Sequence, residues 1–231
     1  MLEVEVKHRV DPPDGLESLR RTFVQRFGAV FRTVEETDTY FNAPDRDFAQ
    51  TDEALRLRRR RAVHGMSDEN GDENDSKAYG SRTELFLTYK GPKLDPATKT
   101  RHEIDLPLGN AAGVFSAAAT ADQYMQFRSL LLSLGYRVAG TVKKVREKAN
   151  IEWRGEAVEI SLDRLAALER AERPATFCEL EILANTDRLD AARAILFELA
   201  NESGLPSPDH QIRQSYLGMV LECEDGGTEA V

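Results

Sequence analysis

Charged residues recur at alternate positions in seven segments of this chain, and this recurrence restricts its fold more than any other feature. Along a β-strand, residues i and i+2 lie on the same face. Each segment therefore predicts a strand with one charged face and, at the intervening positions, one largely apolar face. The charged positions are Glu3, Glu5, Lys7, Arg56, Arg58, Lys90, Arg101, Glu103, Asp105, Lys144, Arg146, Glu159, Asp163, Glu179 and Glu181.

One such strand alone is typical of an antiparallel sheet whose polar face is solvated. Seven of them indicate another arrangement, because the chain also supplies amphipathic helices that can cover the apolar faces. Helical spacing of apolar residues occurs over about 16–28, 121–134 and 187–203, and a shorter helix is expected at about 213–223. With the helices outside, the charged faces point inward, where unpaired charge is costly. The sequence therefore predicts an α+β fold, a barrel with a hydrated, charged interior and helices packed outside.

The strands of this barrel are expected at about 2–9, 29–42, 54–63, 83–91, 99–107, 136–153, 156–165 and 177–183. The segment at 64–81 is rich in Gly, Ser, Asp, Glu and Asn, and is expected to be a long, mobile acidic loop. Residues 225–231 are expected to form a disordered tail. No repeat or linker divides the chain, so a single domain is expected over 1–224.

Composition narrows the classes of function. The chain has 231 residues and a net charge of −9, which disfavours nucleic acids and anionic membranes as partners. It contains no apolar run long enough to cross a bilayer and no secretion signal at its N-terminus, so a cytoplasmic location is expected. Cys178 and Cys223 are far apart and lack the Cys or His neighbours of a zinc site. A homodimer is compatible with all of these features.

Acids and bases on one inner wall indicate a metal-bound polyphosphate as the ligand. Paired carboxylates suit Mg²⁺ or Mn²⁺, which prefer hard oxygen ligands, and two such pairs are Glu3 with Glu5 and Glu179 with Glu181. Guanidinium groups contact phosphate oxygens in pairs, and lysines add point charges. A free cation would need only the acids and a free anion only the bases, so the combination favours a metal–polyphosphate complex.

The order of the charged segments resembles the CYTH superfamily, also called triphosphate tunnel metalloenzymes. EVEVK at 3–7 is similar to the ExExK signature of that family, and further matching segments follow along nearly the whole chain. They are DTYFNAPDRDF at 38–48, TDEALRLR at 51–58, LTYKGPK at 87–93, KTRHEID at 99–105, Lys144 with Arg146, ISLD at 160–163, ELEI at 179–182 and SYL at 215–217. The YFN-x-P and TYKGPK segments look most like the class IV adenylyl cyclase branch.

The resemblance implies an antiparallel eight-stranded β-barrel tunnel that binds a divalent metal and a triphosphate such as ATP or tripolyphosphate. It implies metal-binding roles for Glu3, Glu5, Glu179 and Glu181. It implies triphosphate-binding roles for Lys7, Arg56, Arg58, Lys90, Arg101, Lys144 and Arg146. Glu103 and Asp163 are the candidate catalytic carboxylates, serving metal, water or the basic side chains. Two segments depart from the family pattern: ALERAERPAT at 167–176 replaces the usual glycines, and the loop at 64–81 is long.

Three functions are open at this point. The first is a class IV adenylyl cyclase-like enzyme, which converts ATP to cyclic AMP and pyrophosphate. The second is a triphosphatase that hydrolyses inorganic tripolyphosphate, thiamine triphosphate or a nucleoside triphosphate. The third is a non-catalytic polyphosphate-binding module, which the full set of acids disfavours because phosphate binding needs only the bases.

The run of four arginines at 58–61 also needs an interpretation. Only alternate members of a strand share a face, so we expect Arg58 inside the barrel and Arg59 and Arg61 in solvent. Tyr40 and Phe41 are expected to pack in the barrel wall, although one of them could line a pocket for a base.

Overall fold

Eight strands pair antiparallel and close into a barrel, in the order β1-β5-β4-β3-β2-β6-β7-β8. This order comes from a computed structural model of the chain. The strands are β1 (Leu2–Arg9), β2 (Arg32–Asn42), β3 (Ala54–Ala62), β4 (Thr83–Lys93), β5 (Arg101–Pro107), β6 (Arg137–Trp153), β7 (Glu156–Leu165) and β8 (Thr176–Ala184). The predicted fold, an antiparallel eight-stranded barrel with helices around it, is confirmed.

The structure describes residues 2–10, 15–63, 83–94, 100–108, 117–168 and 176–225. The whole acidic loop predicted at 64–81 and all but the first residue of the tail predicted at 225–231 lie outside these residues. Most of the segment that replaces the family's glycines, residues 169–175, lies outside them as well.

Pairing of β1 with β8 shows how the sequence pattern places charges inside the barrel. Val4 and Val6 are fully buried on the outer face of β1, where β-branched side chains favour the strand conformation. The intervening residues Glu3, Glu5 and Lys7 face the interior. The register sets them opposite alternate residues of β8: Leu183, Glu181 and Glu179. The same alternation leaves Arg59 and Arg61 of β3 exposed outside the barrel, as predicted.

Five α-helices accompany the barrel in the described part of the chain: α1 (Gly15–Phe27), α2 (Phe48–Thr51), α3 (Ala117–Ser133), α4 (Leu189–Ser203) and α5 (Tyr216–Asp225). The single turn α2 was not predicted. It follows a capping residue, Asp47, whose side chain accepts a hydrogen bond from the backbone N–H of Ala49 at 3.0 Å. None of the described helices is long and apolar enough to cross a membrane.

The apolar core lies between the barrel and the helices. Phe23 of α1 and Leu196 of α4 are fully buried in one cluster with Val4 and Val6. Leu131 of α3 packs in a second cluster, which also contains Phe41, Leu55 and Leu57. Met219 and Val220 of α5 pack in a third cluster against β6, β7 and β8. Because these contacts involve the outer faces of the strands, the charged faces lie on the inside of the barrel.

The helix α5 begins at Tyr216, about one turn later than the predicted start at 213. The preceding residues instead hydrogen-bond across to β1. The backbone N–H of Ile212 donates to the carbonyl of Lys7 at 2.6 Å, and Lys7 Nζ donates to the carbonyl of Gln214 at 2.7 Å. This segment therefore crosses the end of the barrel at which β1 finishes.

Candidate active site in the barrel interior

The charged faces of the strands surround a cavity of about 390 Å³ inside the barrel. All of the predicted site residues line it except Asp163, which is fully buried and hydrogen-bonded to Arg146. The lining also contains residues that the sequence analysis did not assign to the site: Arg60, Asp105, Lys148, Glu159, Leu183, Arg213, Ser215 and Tyr216. Tyr40 lines the cavity as well, whereas Phe41 is buried in the outer core.

One part of the cavity wall, which we call the acidic sector, carries the carboxylates of Glu3, Glu5, Glu103, Glu159 and Glu181. Lys90 Nζ lies 2.8 Å from Glu3 Oε2 and 2.9 Å from Glu103 Oε2. Burial and the neighbouring Glu103 raise the pKa of Glu3 above its ordinary value, although Lys90 acts in the opposite direction. The charge of Lys90 therefore does not offset the cost of burying the Glu3 carboxylate.

Within the acidic sector, the pKa of Glu181 is raised most strongly. Glu181 lies opposite Glu5 of β1 and Glu159 of β7 in the barrel register. Burial, followed by the charges of Glu3 and Glu159, raises its pKa well above the ordinary value for a glutamate. Like charges that are crowded in this way are stabilised by a cation placed between them.

The donor set of the acidic sector suits a divalent metal. Among the described residues, no three His, Cys, Asp or Glu side chains form a preformed metal cage. Magnesium in triphosphate sites does not need one, because it takes one or two carboxylates and completes its shell with water and substrate phosphates. Glu3, Glu5 and Glu181 supply only hard oxygen donors on the cavity wall, so the residues fit Mg²⁺ or Mn²⁺.

A second part of the wall, the basic sector, carries Arg58, Lys144 and Arg146, each of which is buried and paired with an acid. Arg58 contacts both carboxylate oxygens of Asp38, at 2.6 and 2.7 Å. Lys144 Nζ lies 3.0 Å from Asp38 and 3.1 Å from Glu36. The bases of this sector are thus held in fixed positions by acids that lie deeper in the wall.

Glu36 and Asp38 of β2 were missed by the sequence analysis. Burial alone would raise the pKa of Asp38, but Arg58 and Lys144 outweigh burial and hold that pKa well below its ordinary value. The same two bases lower the pKa of Glu36 against the effect of its burial. A signal for both residues was present, since they stand at i and i+2 within a predicted strand, as the assigned residues do.

Arg146 connects the basic sector to acids of β7 and β8. Its Nε donates to Asp163 Oδ1 at 2.6 Å, and its Nη2 also contacts Glu179. Tyr216 donates its hydroxyl proton to Asp163 Oδ2 at 2.7 Å. Asp163 therefore positions Arg146 and does not reach the cavity, while Glu179 lies beside the bases and not within the acidic sector.

Arg56 and Arg101 lie on the same wall and are held more loosely. The guanidinium of Arg56 is 3.7 Å from Asp38 and 3.8 Å from Glu103, which is too long for a hydrogen bond, and it donates to Thr88 Oγ1 at 3.3 Å. The guanidinium of Arg101 is 3.9 Å from Asp52. Both side chains are therefore well placed to contact an anion that enters the cavity.

The end of the barrel nearest Lys7 is lined by the segment that precedes α5. Lys7 Nζ lies 4.0 Å from the centroid of the Tyr216 ring and 3.8 Å from Glu179. Arg213 and Ser215 also line the cavity. The SYL motif marked Tyr216 as part of a resemblance, but sequence alone gave no means of placing this segment over the barrel end.

Comparisons with known proteins agree with this geometry. A model of the CYTH domain matches residues 1–216. A protein of Methanocaldococcus jannaschii with the provisional name adenylate cyclase is 30% identical over 219 residues, which cover 94% of this chain and 97% of that protein. A solved structure from Pyrococcus horikoshii is 31% identical with a TM-score of 0.68, and the match covers 95% of this chain and 98% of that one.

A provisionally named adenylate cyclase from Vibrio parahaemolyticus has the same fold, with 22% identity, a TM-score of 0.64 and coverage of 96% of this chain and 98% of that one. The matches extend over almost the full length of each relative, and the family model spans far more than half of the chain. The closed eight-stranded barrel agrees with them. The chain belongs to the CYTH family.

Proposed function

We propose that this protein is a divalent-metal-dependent adenylyl cyclase of the class IV kind, which converts ATP to cyclic AMP and pyrophosphate. The observation that carries the proposal is the pairing of an acidic and a basic sector within one cavity of about 390 Å³. A polyphosphate tail can contact the bases while its bound metal contacts the acids. The 30% identity to a protein provisionally named adenylate cyclase supports the choice of reaction.

Glu3, Glu5 and Glu181 are the residues that would hold the metal, and Glu179 stays a further predicted ligand. When bound there, a divalent ion neutralises charge on the phosphate oxygens and on the leaving pyrophosphate. The excess negative charge of the acidic sector supports this assignment, because the pKa of Glu181 is raised by burial and by neighbouring carboxylates.

The basic residues would bind and orient the triphosphate. All seven predicted phosphate-binding residues line the cavity: Lys7, Arg56, Arg58, Lys90, Arg101, Lys144 and Arg146. Because the bases of the basic sector are already fixed by Asp38, Asp163 and Glu36, little ordering would be needed when phosphate binds. Such preorganised positive charge is suited to the charge that spreads over the phosphoryl oxygens during transfer.

In the proposed reaction, the ribose 3′-oxygen forms a bond to the α-phosphorus, and the bond from that phosphorus to the bridging oxygen of pyrophosphate breaks. Glu103 is our candidate for the group that accepts the 3′-hydroxyl proton. Although burial opposes it, contacts with Glu3, Lys90 and Arg56 lower the pKa of Glu103 from its ordinary value. Glu103 is therefore kept as a carboxylate that can accept a proton.

A triphosphatase is the main alternative, since the same bases and metal would orient a terminal phosphate for attack by water. Product analysis separates the two functions. The protein should be incubated with Mg²⁺ or Mn²⁺ and with ATP, tripolyphosphate or thiamine triphosphate in separate reactions. Cyclic AMP and pyrophosphate in equal amounts from ATP would support the cyclase, whereas orthophosphate from any substrate without cyclic AMP would overturn it.

A further inference from the structure

Phe86 of β4 is an aromatic residue on the charged inner face of the barrel. It pairs in register with Arg58, and it shares its face with Thr88 and Lys90, two and four residues further along β4. Its side chain is half-buried. It belongs to none of the three apolar clusters found in the described part of the chain. Packing of the core therefore does not account for an aromatic ring at this position.

Arg60 lies over the ring of Phe86, with its guanidinium carbon 4.8 Å from the ring centroid. Its Nε donates to Glu36 Oε1 at 2.8 Å, and its Nη1 is 3.8 Å from Glu84 Oε2. These acids, together with the ring, fix the position of the guanidinium. Arg60 also lines the cavity. A flat cation and an aromatic ring are thus held together beside the proposed triphosphate site.

The pair formed by Arg60 and Phe86 lies toward one end of the barrel. Arg60 lies near the end of β3 and Phe86 near the start of β4. The antiparallel register places both toward the end of the barrel where β1 begins. The segment from Ile212 to Gln214 crosses the opposite end. A triphosphate bound among the central bases therefore has a stacking surface on the side away from this crossing.

We propose that Phe86 and Arg60 form a stacking platform for the nucleobase, so that the substrate is a nucleoside triphosphate and not a linear polyphosphate. Aromatic rings and arginine planes are the groups on which proteins stack bases. Every base has a π-face, so such a platform separates nucleotides from polyphosphate without choosing among bases. The proposal rests on the proposed function, because it takes the triphosphate to lie in this cavity.

The test compares Phe86→Leu, which keeps apolar bulk but removes the π-face, with Phe86→Tyr, which keeps both. Phe31→Leu is the matched control. Phe31 is also half-buried beneath an arginine, with Arg20 at 5.6 Å from its ring centroid, but it packs against the outer core cluster. For each variant, binding of α,β-methylene-ATP and of inorganic tripolyphosphate is measured by calorimetry with Mg²⁺, and turnover of ATP is measured in parallel.

We expect Phe86→Leu to weaken nucleotide binding by about 10-fold or more, as is typical for loss of one stacked base, with tripolyphosphate binding unchanged. Phe86→Tyr and Phe31→Leu should bind both ligands like the wild type. An equal loss for both ligands would indicate a structural role for Phe86 and would overturn the proposal, as would no loss for either. If the wild type turns over nothing while the selective loss is still observed, the cyclase proposal fails and the platform stands.

Discussion

Individual carboxylates inside the barrel differ in what neutralises them, and this difference separates the proposed metal ligands from structural pairs. Asp38 lies within hydrogen-bonding distance of both Arg58 and Lys144. Glu181 instead has Glu3, Glu5 and Glu159 as charged neighbours, with Lys90 as the opposing charge. Acids of the first kind fix bases in place, whereas acids of the second kind gain most from an added cation.

Glu5 provides a direct test of the proposed metal site. Replacing it by glutamine keeps its shape but removes one anionic oxygen donor, so we expect the affinity for Mn²⁺ to fall by about 10-fold or more and turnover to fall with it. Titration of Mn²⁺, followed by electron paramagnetic resonance and by activity, measures both effects. Glu35→Gln is the control, because the Glu35 side chain is 45% exposed, lies outside the barrel and pairs with Arg61. Equal metal affinities in Glu5→Gln and the wild type would remove Glu5 from the site.

Asp38→Asn tests the structural pairs. Breaking a buried ion pair typically costs about 3–5 kcal/mol, so urea unfolding at pH 7 should show a loss of that order. The pKa of Asp38 is lower in the folded protein than its ordinary value of 3.8. Its contribution is therefore fully present above that ordinary value and is lost as the pH falls below it. The difference in the free energy of unfolding between Asp38→Asn and the wild type should therefore become smaller below about pH 4.

The same exposed pair is the reference for this measurement. Glu35→Gln should change the free energy of unfolding by no more than about 1 kcal/mol, both at neutral pH and at low pH. A loss in Asp38→Asn that is equally small would show that the buried network does not stabilise the fold. A loss that stays constant between pH 7 and pH 3 would show that the titration of Asp38 is not linked to stability.

At the scale of elements, the segment before α5 connects the C-terminal part of the chain to the cavity. Its backbone is bound to β1 through Ile212 and Gln214, and Tyr216 reaches Asp163 behind Arg146. The ring of Tyr216 packs with Phe177, at a centroid distance of 5.1 Å. Contacts of this segment and of the first residue of α5 therefore help to position both Lys7 and Arg146.

Tyr216→Phe tests this link because it removes only the hydroxyl group. A hydrogen bond to a charged partner contributes about 1.5–3 kcal/mol, so a stability loss of that size is expected. The KM for ATP should also rise, since Asp163 would hold Arg146 less firmly. In the control Tyr124→Phe, the lost hydroxyl bonds to Thr39 at 2.7 Å on the outside of the barrel. That variant should lose stability but keep its KM, and an unchanged KM in Tyr216→Phe would contradict the link.

The sequence pattern predicted the elements better than the contacts between them. Period-two alternation in Glu3, Glu5 and Lys7 was enough to assign a strand and its charged face, because side-chain direction in a strand is a local property. The partners of those charges depend on register across several strands, which no local pattern specifies. For this reason the sequence assigned Arg58 to phosphate binding without showing its buried pair, Asp38. The same limit applies to α2 and to the crossing at Ile212.

At the scale of the whole molecule, the net charge of −9 coexists with a proposed site for a polyanion. The barrel permits this because its inner faces are separated from the outer surface by the strands themselves and by the cores under the helices. Acids inside it offset the fixed bases, so a bare polyanion would enter a cavity with little net attraction. A metal ion would change this balance, because it adds positive charge at the acidic sector.

Metal and triphosphate should therefore stabilise the fold together. A ligand present at about 100 times its Kd and bound only by the folded state adds about 2.7 kcal/mol, which for a protein of this size is a rise in Tm of roughly 5–10 °C. Calorimetric scans with Mg²⁺ and tripolyphosphate should show this rise, while tripolyphosphate with excess chelator should show little. Glu5→Gln should reduce the rise and Glu35→Gln should not. A full rise without metal would show that the bases bind triphosphate alone and that the acidic sector has another role.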